Sequence, residues 1–364
     1  MAFRYVLIGG AASIASTHIK ALAACGATIA GLCDIDTGRG AARAAEIGCP
    51  FYPDHRVMLA EIKPDIAVIL APHPAHAALA IDALQSGAHV LSEKPIAVEV
   101  GQADAMIAAA EAAHRVLAVS FQHRFDPIVE YAHTFIEAGE LGALVRTLCV
   151  EPWLRSAAYY RLNSWRGTWT GEGGGVLMNQ SPHTLDLLCY LGGQPAKVWG
   201  WTRTRYQAME AEDTAQAMLE YPNGAPGYFT ASTAEAGSER HIQIVGEKAT
   251  LDLAGTRLMI QRFDPPLREF IATDPNPFGS PKISSEVLDL PVGEGRDHVA
   301  VYRDLEAAIT EGREPHCTGR DALPSLELAN AIIYSNYRGG PVSLPLDRAA
   351  YSALLHDLMG KKYA

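Results

Sequence analysis

The chain has no run of lysine and arginine, no CxxC pair and no apolar stretch near membrane-spanning length. Each absence removes a class of function. Without a basic stripe there is no electrostatic footprint for nucleic acid, and the formal net charge of −11 is spread along the sequence. A spanning helix needs roughly 18 or more apolar residues, which predicts no membrane segment here. The six cysteines (25, 33, 49, 149, 189 and 317) lack the spacing of a zinc site or a disulfide framework and predict reduced thiols. Met1-Ala2-Phe3-Arg4 leads at once into a strand pattern, so no signal peptide and a cytoplasmic location are expected.

What is present is the composition of an ordinary globular protein, 48% hydrophobic and 20% charged. At 364 residues the chain exceeds one typical core, so two domains are expected. In the first part, short apolar runs at 5–8, 28–32, 66–70, 89–91 and 116–119 predict buried strands. Helical patterns at 14–24, 38–47, 75–86 and 99–113 separate them. Such alternation predicts a parallel, doubly wound sheet with its ligand site beyond the carboxyl ends of the strands.

The first strand–helix turn, Gly10-Ala11-Ala12-Ser13-Ile14-Ala15, fits the GxGxxG/A phosphate loop with alanine at its second glycine. Gly10, Ala12, Ser13 and Ile14 are therefore candidate dinucleotide contacts, with the pyrophosphate at the helix N-terminus. Asp34 ends the second strand, where a carboxylate accepts hydrogen bonds from ribose hydroxyls and repels a 2′-phosphate. That favours NAD over NADP, although Arg39 and Arg43 leave NADP open, and a solvated turn aspartate is the alternative for Asp34. Pro72-His73-Pro74-Ala75-His76 follows the strand expected at 66–70. No Cys, Asp or Glu stands near the two histidines with ligand spacing, so no metal is expected and the loop is assigned to the cofactor.

These features, with Gly87-x-His89-Val90-x-x-Glu93-Lys94-Pro95, Phe121-Gln122-His123-Arg124-Phe125, Gly139-x-Leu141-Gly142 and Gly173-Gly174-Gly175…His183-x-x-Asp186, resemble the glucose–fructose oxidoreductase/inositol dehydrogenase family over essentially the whole length. The resemblance implies an α/β protein. It would have an N-terminal Rossmann doubly wound parallel sheet (1–124) and a C-terminal α/β domain (125–364) for substrate and oligomerisation. The second domain would carry a large, mostly antiparallel open sheet whose exposed face makes a homodimer or homotetramer contact. Independently, 144–152, 197–206, 214–221, 226–233, 240–246, 249–253 and 257–262 read as strands. Helices are expected at 297–310 and 321–337, and a long surface loop from Asp264 to Pro281.

Lys94 precedes a proline, which holds its backbone extended and aims the side chain from a strand end. An ammonium there can polarise a substrate oxygen. Glu93 would touch the cofactor ribose or orient Lys94, and the resemblance implies Gln122 on the cofactor and Arg124 on the substrate. Ser181-Pro182 looks like an N-cap and first-turn proline, which places His183 where the positive helix end keeps an imidazole neutral. His183 matches the family's proton-transfer position, and Asp186 on the same face would orient the ring or bind a hydroxyl. Several family members acting on cyclitols carry aspartate four residues before this histidine. Here Asn179 stands there, a positioner without charge. The loop from Glu151 to Trp169 holds three of the five tryptophans. Its Trp153, Arg155, Tyr159, Trp165 and Arg166 are candidate substrate contacts, since flat rings stack on sugar C–H faces and guanidinium forks reach hydroxyls or carboxylates. The alternative is a satellite hydrophobic cluster under a long loop.

The expectation is thus an NAD-dependent dehydrogenase of a sugar, glycoside or cyclitol hydroxyl, with Lys94 polarising the oxygen and His183 as base. A redox glycosidase that retains NAD and a non-catalytic sugar-sensing regulator of the same fold are the rivals.

Overall fold

A computed structural model describes residues 3–289 and 298–361. The first layer is a parallel six-stranded sheet in the order β3-β2-β1-β4-β5-β6. Its strands are β1 (Arg4–Ile8), β2 (Thr28–Cys33), β3 (Phe51–Tyr52), β4 (Ile66–Ile69), β5 (His89–Ser92) and β6 (Leu117–Val119). All four residues of β4 are buried, as the uninterrupted apolar run requires of a strand covered on both faces. Helices Ala15–Ala24, Thr37–Ile47, His76–Gln85 and Val100–Ala113 match the expected helical stretches to within a residue or so.

The second layer is a nine-stranded sheet, β14-β13-β12-β11-β7-β10-β9-β8-β15. It comprises β7 (Leu144–Pro152), β8 (Lys197–Arg203), β9 (Thr214–Glu220), β10 (Pro226–Ser232), β11 (His241–Gly246), β12 (Ala249–Ala254), β13 (Arg257–Asp264), β14 (Lys282–Asp289) and β15 (Val342–Ser343). Every pairing is antiparallel except β10 with β7. One face packs on helices Pro182–Gly192 and Gly319–Arg338; the other leaves Trp199, Trp201, Met218 and Tyr228 partly exposed at alternate positions. The expected surface loop from Asp264 to Pro281 is partly helical, at Leu267–Thr273, and is followed by β14. β14 escaped the sequence because it is an edge strand exposed on both faces, so no apolar alternation marks it.

The chain also returns to the first layer. Helix His298–Glu311 packs on Ala15–Ala24, and Val119 donates to the carbonyl of Cys317 at 3.1 Å. Residue 297, the first of the helix expected there, lies outside the described residues, as do Met1 and Ala2. No helix among the described residues is long and apolar enough to cross a membrane.

Candidate active site

The order of the first sheet reverses between β1 and β4, and the loops after these strands part at their carboxyl ends. Gly9 makes the close approach there. Its φ is +87°, and a Cβ would stand 2.5 Å from the Ala71 amide nitrogen. Gly10, expected on the cofactor, instead faces inward, with its Cβ position 2.3 Å from the Leu32 side chain. It seats the loop on β2 and does not line the cleft.

A cavity of about 700 Å³ opens here, bordered by Ala12, Ser13 and Ile14 on one loop and Pro72, His73 and His76 on the other. Asp34 stands at one end, Glu93 and Lys94 further in. The volume suits a cofactor-sized ligand, and the N-terminus of Ala15–Ala24 adjoins the loop where a pyrophosphate would lie. Asp34 is fixed by backbone donors: Ala11 N reaches Oδ2 at 2.7 Å and Asp36 N reaches Oδ1 at 2.8 Å. Each oxygen keeps a lone pair that these donors do not use. Arg39 borders the same end but is tied to Asp36 at 2.6 Å, and Arg43 reaches the Ala12 carbonyl at 3.4 Å. Asp34→Ala should therefore raise KM for NAD and narrow the NAD/NADP preference. Comparing kcat/KM for the two cofactors checks this; an unchanged ratio would place Asp34 away from the ribose.

At the inner end, Lys94 Nζ donates to the Asn179 carbonyl at 2.9 Å. Burial pushes the ammonium pKa down, while the carboxylates of Glu93 and Glu172 act the other way. Glu93 accepts from the Lys94 amide at 3.2 Å through Oε2. Its Oε1 meets His18 Nε2 at 3.0 Å and His298 Nε2 at 3.5 Å. Burial opposes its ionisation, yet the two histidines outweigh it and hold the carboxyl well below its usual range. His18 Nδ1 in turn meets the Tyr302 hydroxyl at 2.7 Å. This group of His18, Glu93 and His298 brings three ligand-type side chains together from positions 75 and 205 residues apart, beyond the reach of any spacing rule. The ring nitrogens of His76 face the carbonyls of Pro95 and Ala71, and His73 Nδ1 faces that of Glu172.

His183 lies in the first turn of Pro182–Gly192, edge-on to Phe121 and to His123, with ring centroids 5.6 and 4.7 Å away. The ring is held neutral, its pKa pushed well below the usual value by burial first, then by His123 and the Lys94 ammonium. Burial thus does more than the helix end to which the sequence argument gave the effect. Nor does Ser181 cap the helix. It is itself in the right-handed helical region with no side-chain cap bond, because the short helix Val176–Asn179 runs almost directly into this one.

Asp186 does not orient His183. Both its oxygens accept from Arg124, at 2.9 and 2.7 Å, and the two side chains are 1% and 4% exposed. Arg124 donates again to the Asp321 carbonyl at 2.8 Å and lies over the Tyr190 ring. A buried bidentate pair leaves neither group for substrate, so Arg124 and Asp186 are corrected from site residues to an internal ion pair. Gln122, in a tight turn after β6, also falls outside the cleft lining, and so does the ring of His183.

The aromatic loop divides. Tyr159, Trp165 and Arg166 border the cavity, as does Asn179; Trp153 and Arg155 do not. The Arg155 guanidinium lies 5.2 Å from the Trp153 ring and 5.0 Å from Tyr159, and Arg166 lies 4.2 Å from Tyr159 and 4.6 Å from Trp165. The rings therefore stack on the loop's own cations. What the loop offers the cavity is guanidinium N–H groups, the Tyr159 hydroxyl and the Asn163 amide, with the Asn179 amide beside them from the helix Val176–Asn179. Sequence reasoning also passed over Glu172, which the Asn179 amide contacts and burial raises to a pKa of about 7. A lone acid inside Gly171-Glu172-Gly173-Gly174-Gly175 was the available signal.

Comparison with known proteins adds to this geometry. Residues 3–121 match the model of an oxidoreductase family with an NAD-binding Rossmann fold, and residues 129–252 match the GFO/IDH/MocA C-terminal domain. Among solved structures, the WlbA dehydrogenase of Bordetella pertussis, in complex with NADH and UDP-GlcNAcA, is 30% identical with a TM-score of 0.81. The match covers 95% of this chain and 100% of that one. A D-apiose dehydrogenase of Paraburkholderia graminis is 26% identical over 328 residues, 88% of this chain and 84% of that protein. The scyllo-inositol 2-dehydrogenase (NAD(+)) of Bacillus subtilis is 26% identical over 299 residues, 78% and 79% of the two chains.

Proposed function

The chain belongs to the GFO/IDH/MocA family of NAD-binding oxidoreductases, and from that premise we propose that it oxidises a secondary hydroxyl of a sugar, glycoside or cyclitol. The observation that carries the reading is the position of Lys94. Its ammonium stands at the inner end of the cofactor cleft, in a cavity end lined by hydroxyl, amide and guanidinium groups. Such a lining suits a polyhydroxylated substrate. The substrate classes in the names of the relatives support the same choice.

NAD, when bound, supplies the hydride acceptor. The residues of the chain do the rest. Lys94 donates to the substrate oxygen and stabilises negative charge as the C–OH becomes C=O. His183, neutral and with no hydrogen bond to Nδ1 among the described residues, takes the hydroxyl proton. Asn179 and Arg166 hold neighbouring hydroxyls, and Asp34 holds the cofactor at the far end. No step calls on a metal.

We place the domain boundary at 124/125 and the protein in the cytoplasm. We also assign the exposed Trp199, Trp201, Met218 and Tyr228 face to the contact of a homodimer or homotetramer, since an apolar sheet face of this kind marks an interface.

The test is a screen of NAD reduction over monosaccharides, glycosides and inositols, read at the NADH absorbance. Turnover is expected on at least one polyol. Cleavage of a glycoside with no net NADH would transfer the reading to a redox glycosidase, and silence across the panel would reject catalysis on this substrate class.

A further inference from the structure

Glu172 takes part in none of the steps above, yet it sits directly behind them. It ends the one-turn helix Trp169–Glu172 and is 1% exposed. Oε2 accepts from the Gly167 amide at 2.5 Å, and Oε1 accepts from the side-chain amide of Asn179. Arg166 Nη1 is 4.0 Å from the same Oε1, and the Glu172 carbonyl faces His73 Nδ1 at 3.3 Å. One carboxyl group therefore touches the substrate loop and Asn179, while its own backbone meets the loop carrying His73. The carbonyl of Asn179 is the acceptor for Lys94 Nζ, so a single residue separates Glu172 from the ammonium.

We propose that Glu172 is a positioning residue of the catalytic site: its carboxylate locks Asn179, and through Asn179 the Lys94 ammonium, and its charge counters Lys94 and Arg166. The inference rests on the dehydrogenase reading and deepens it, because it assigns a second carboxylate, besides Glu93, to the surroundings of Lys94. Asn179 brings none, Glu93 is engaged by His18 and His298, and Asp186 by Arg124. Among the described residues, Glu172 is the carboxylate that meets the side chain of Asn179, the residue whose carbonyl holds Lys94.

The surroundings tell which way it titrates. Burial raises its carboxyl to about 7, against the Gly167 amide, Asn179, Arg166 and Lys94, all of which favour the anion. From the cofactor loop, His73 is pushed down to about 3 by burial and stays neutral throughout this range. Tyr160, raised to about 12, keeps its proton, as does Tyr351 of the packed helix Arg348–Gly360, which burial pushes well up. Glu212, also raised to about 7, lies nearby but bonds the Gly175 and Leu177 amides and has no contact with Asn179. Above neutrality, Glu172 is an anion; as pH falls through about 7 it is neutralised, and with the charge go the strong acceptor for the Asn179 amide and the counter-charge that fixes the Lys94 and Arg166 cations in place. The rate should therefore show an acid limb near neutrality owned by Glu172.

Glu172→Gln keeps the shape and removes the titration. Expected are a kcat reduced by up to about 10²-fold, the scale of a misplaced catalytic group, an acid limb flattened around neutrality, and a basic limb displaced to lower pH as Lys94 loses its counter-charge. Glu212→Gln, the neighbouring acid without the Asn179 contact, should keep the acid limb. A Glu172→Gln enzyme with the wild-type pH profile overturns the proposal. Should that variant not fold, Glu172→Asp carries the test: the withdrawn carboxylate keeps its charge but loses its reach to Asn179, so kcat falls while the acid limb remains. Wild-type kcat in the aspartate variant likewise overturns it. Infrared difference spectra, wild type minus Glu172→Gln, follow carboxyl protonation without any substrate. A carboxyl band titrating through neutrality is expected, and its absence rejects Glu172 as the titrating group even if no sugar is turned over. Failure of the substrate screen alone would reject only the dehydrogenase reading.

Discussion

Lys94→Ala should lower the rate of hydride transfer at least about 10²-fold, while NAD still binds with nearly unchanged affinity. The asymmetry follows from where the side chain ends. Its Nζ is engaged with the Asn179 carbonyl at the inner end of the cleft, whereas Asp34 and the Ser13–Ile14 turn hold the opposite end. On the proposed mechanism, truncation removes the donor to the reacting oxygen and leaves the residues at the opposite end of the cavity in place. The pH profile should change as well. Burial lowers the Lys94 pKa, so in the wild type the ammonium is lost below the ordinary lysine range as pH rises, giving a basic limb. That limb should vanish in Lys94→Ala. Stopped-flow NADH formation, with cofactor affinity measured separately by fluorescence, reads both effects. Near wild-type turnover in the alanine variant would remove Lys94 from the chemistry.

The parts of this molecule written in local pattern were readable from sequence, and those written in long-range pairing were not. The Rossmann layer is a succession of apolar runs and helical stretches, signalled within a dozen residues except at the two-residue β3 and the helix His55–Ile62, and its parallel strands put the Asp34, Pro72 and Lys94 segments at one carboxyl end. Edge strand β14 has no buried face and so no periodic signature. The site follows the same division. Lys94 and Asp34 stand just past strand ends, where local pattern could place them, and both line the cavity. Arg124 and Asp186 were misassigned because nothing local shows that residues 62 apart close a bidentate pair in the core. His18, Glu93 and His298 come together from three separate stretches of chain, and Glu172 acquires its character from burial and from Asn179. A charged residue's role depends on its partner, and partners at large sequence separation leave no spacing to read.

His183→Asn provides the second large effect. The substitution should leave the fold intact: His183 contributes ring packing against Phe121 and His123, and its Nδ1 makes no hydrogen bond among the described residues. Loss of the proton acceptor should appear in kcat, by about 10²- to 10⁴-fold, with KM changed much less. The pH dependence separates it from Glu172. A base works in its deprotonated form, and the His183 pKa is pushed well below the ordinary imidazole value by burial, His123 and Lys94. Protonation of His183 therefore limits the rate only in clearly acidic solution, below the range in which Glu172 titrates. The slow His183→Asn enzyme should accordingly keep the neutral-range acid limb, while Glu172→Gln should lose it. Were the outcomes exchanged, with the limb abolished in His183→Asn and retained in Glu172→Gln, the titrating group would be the imidazole itself. Burial would then hold its pKa far less strongly than the packing around Phe121 and His123 implies.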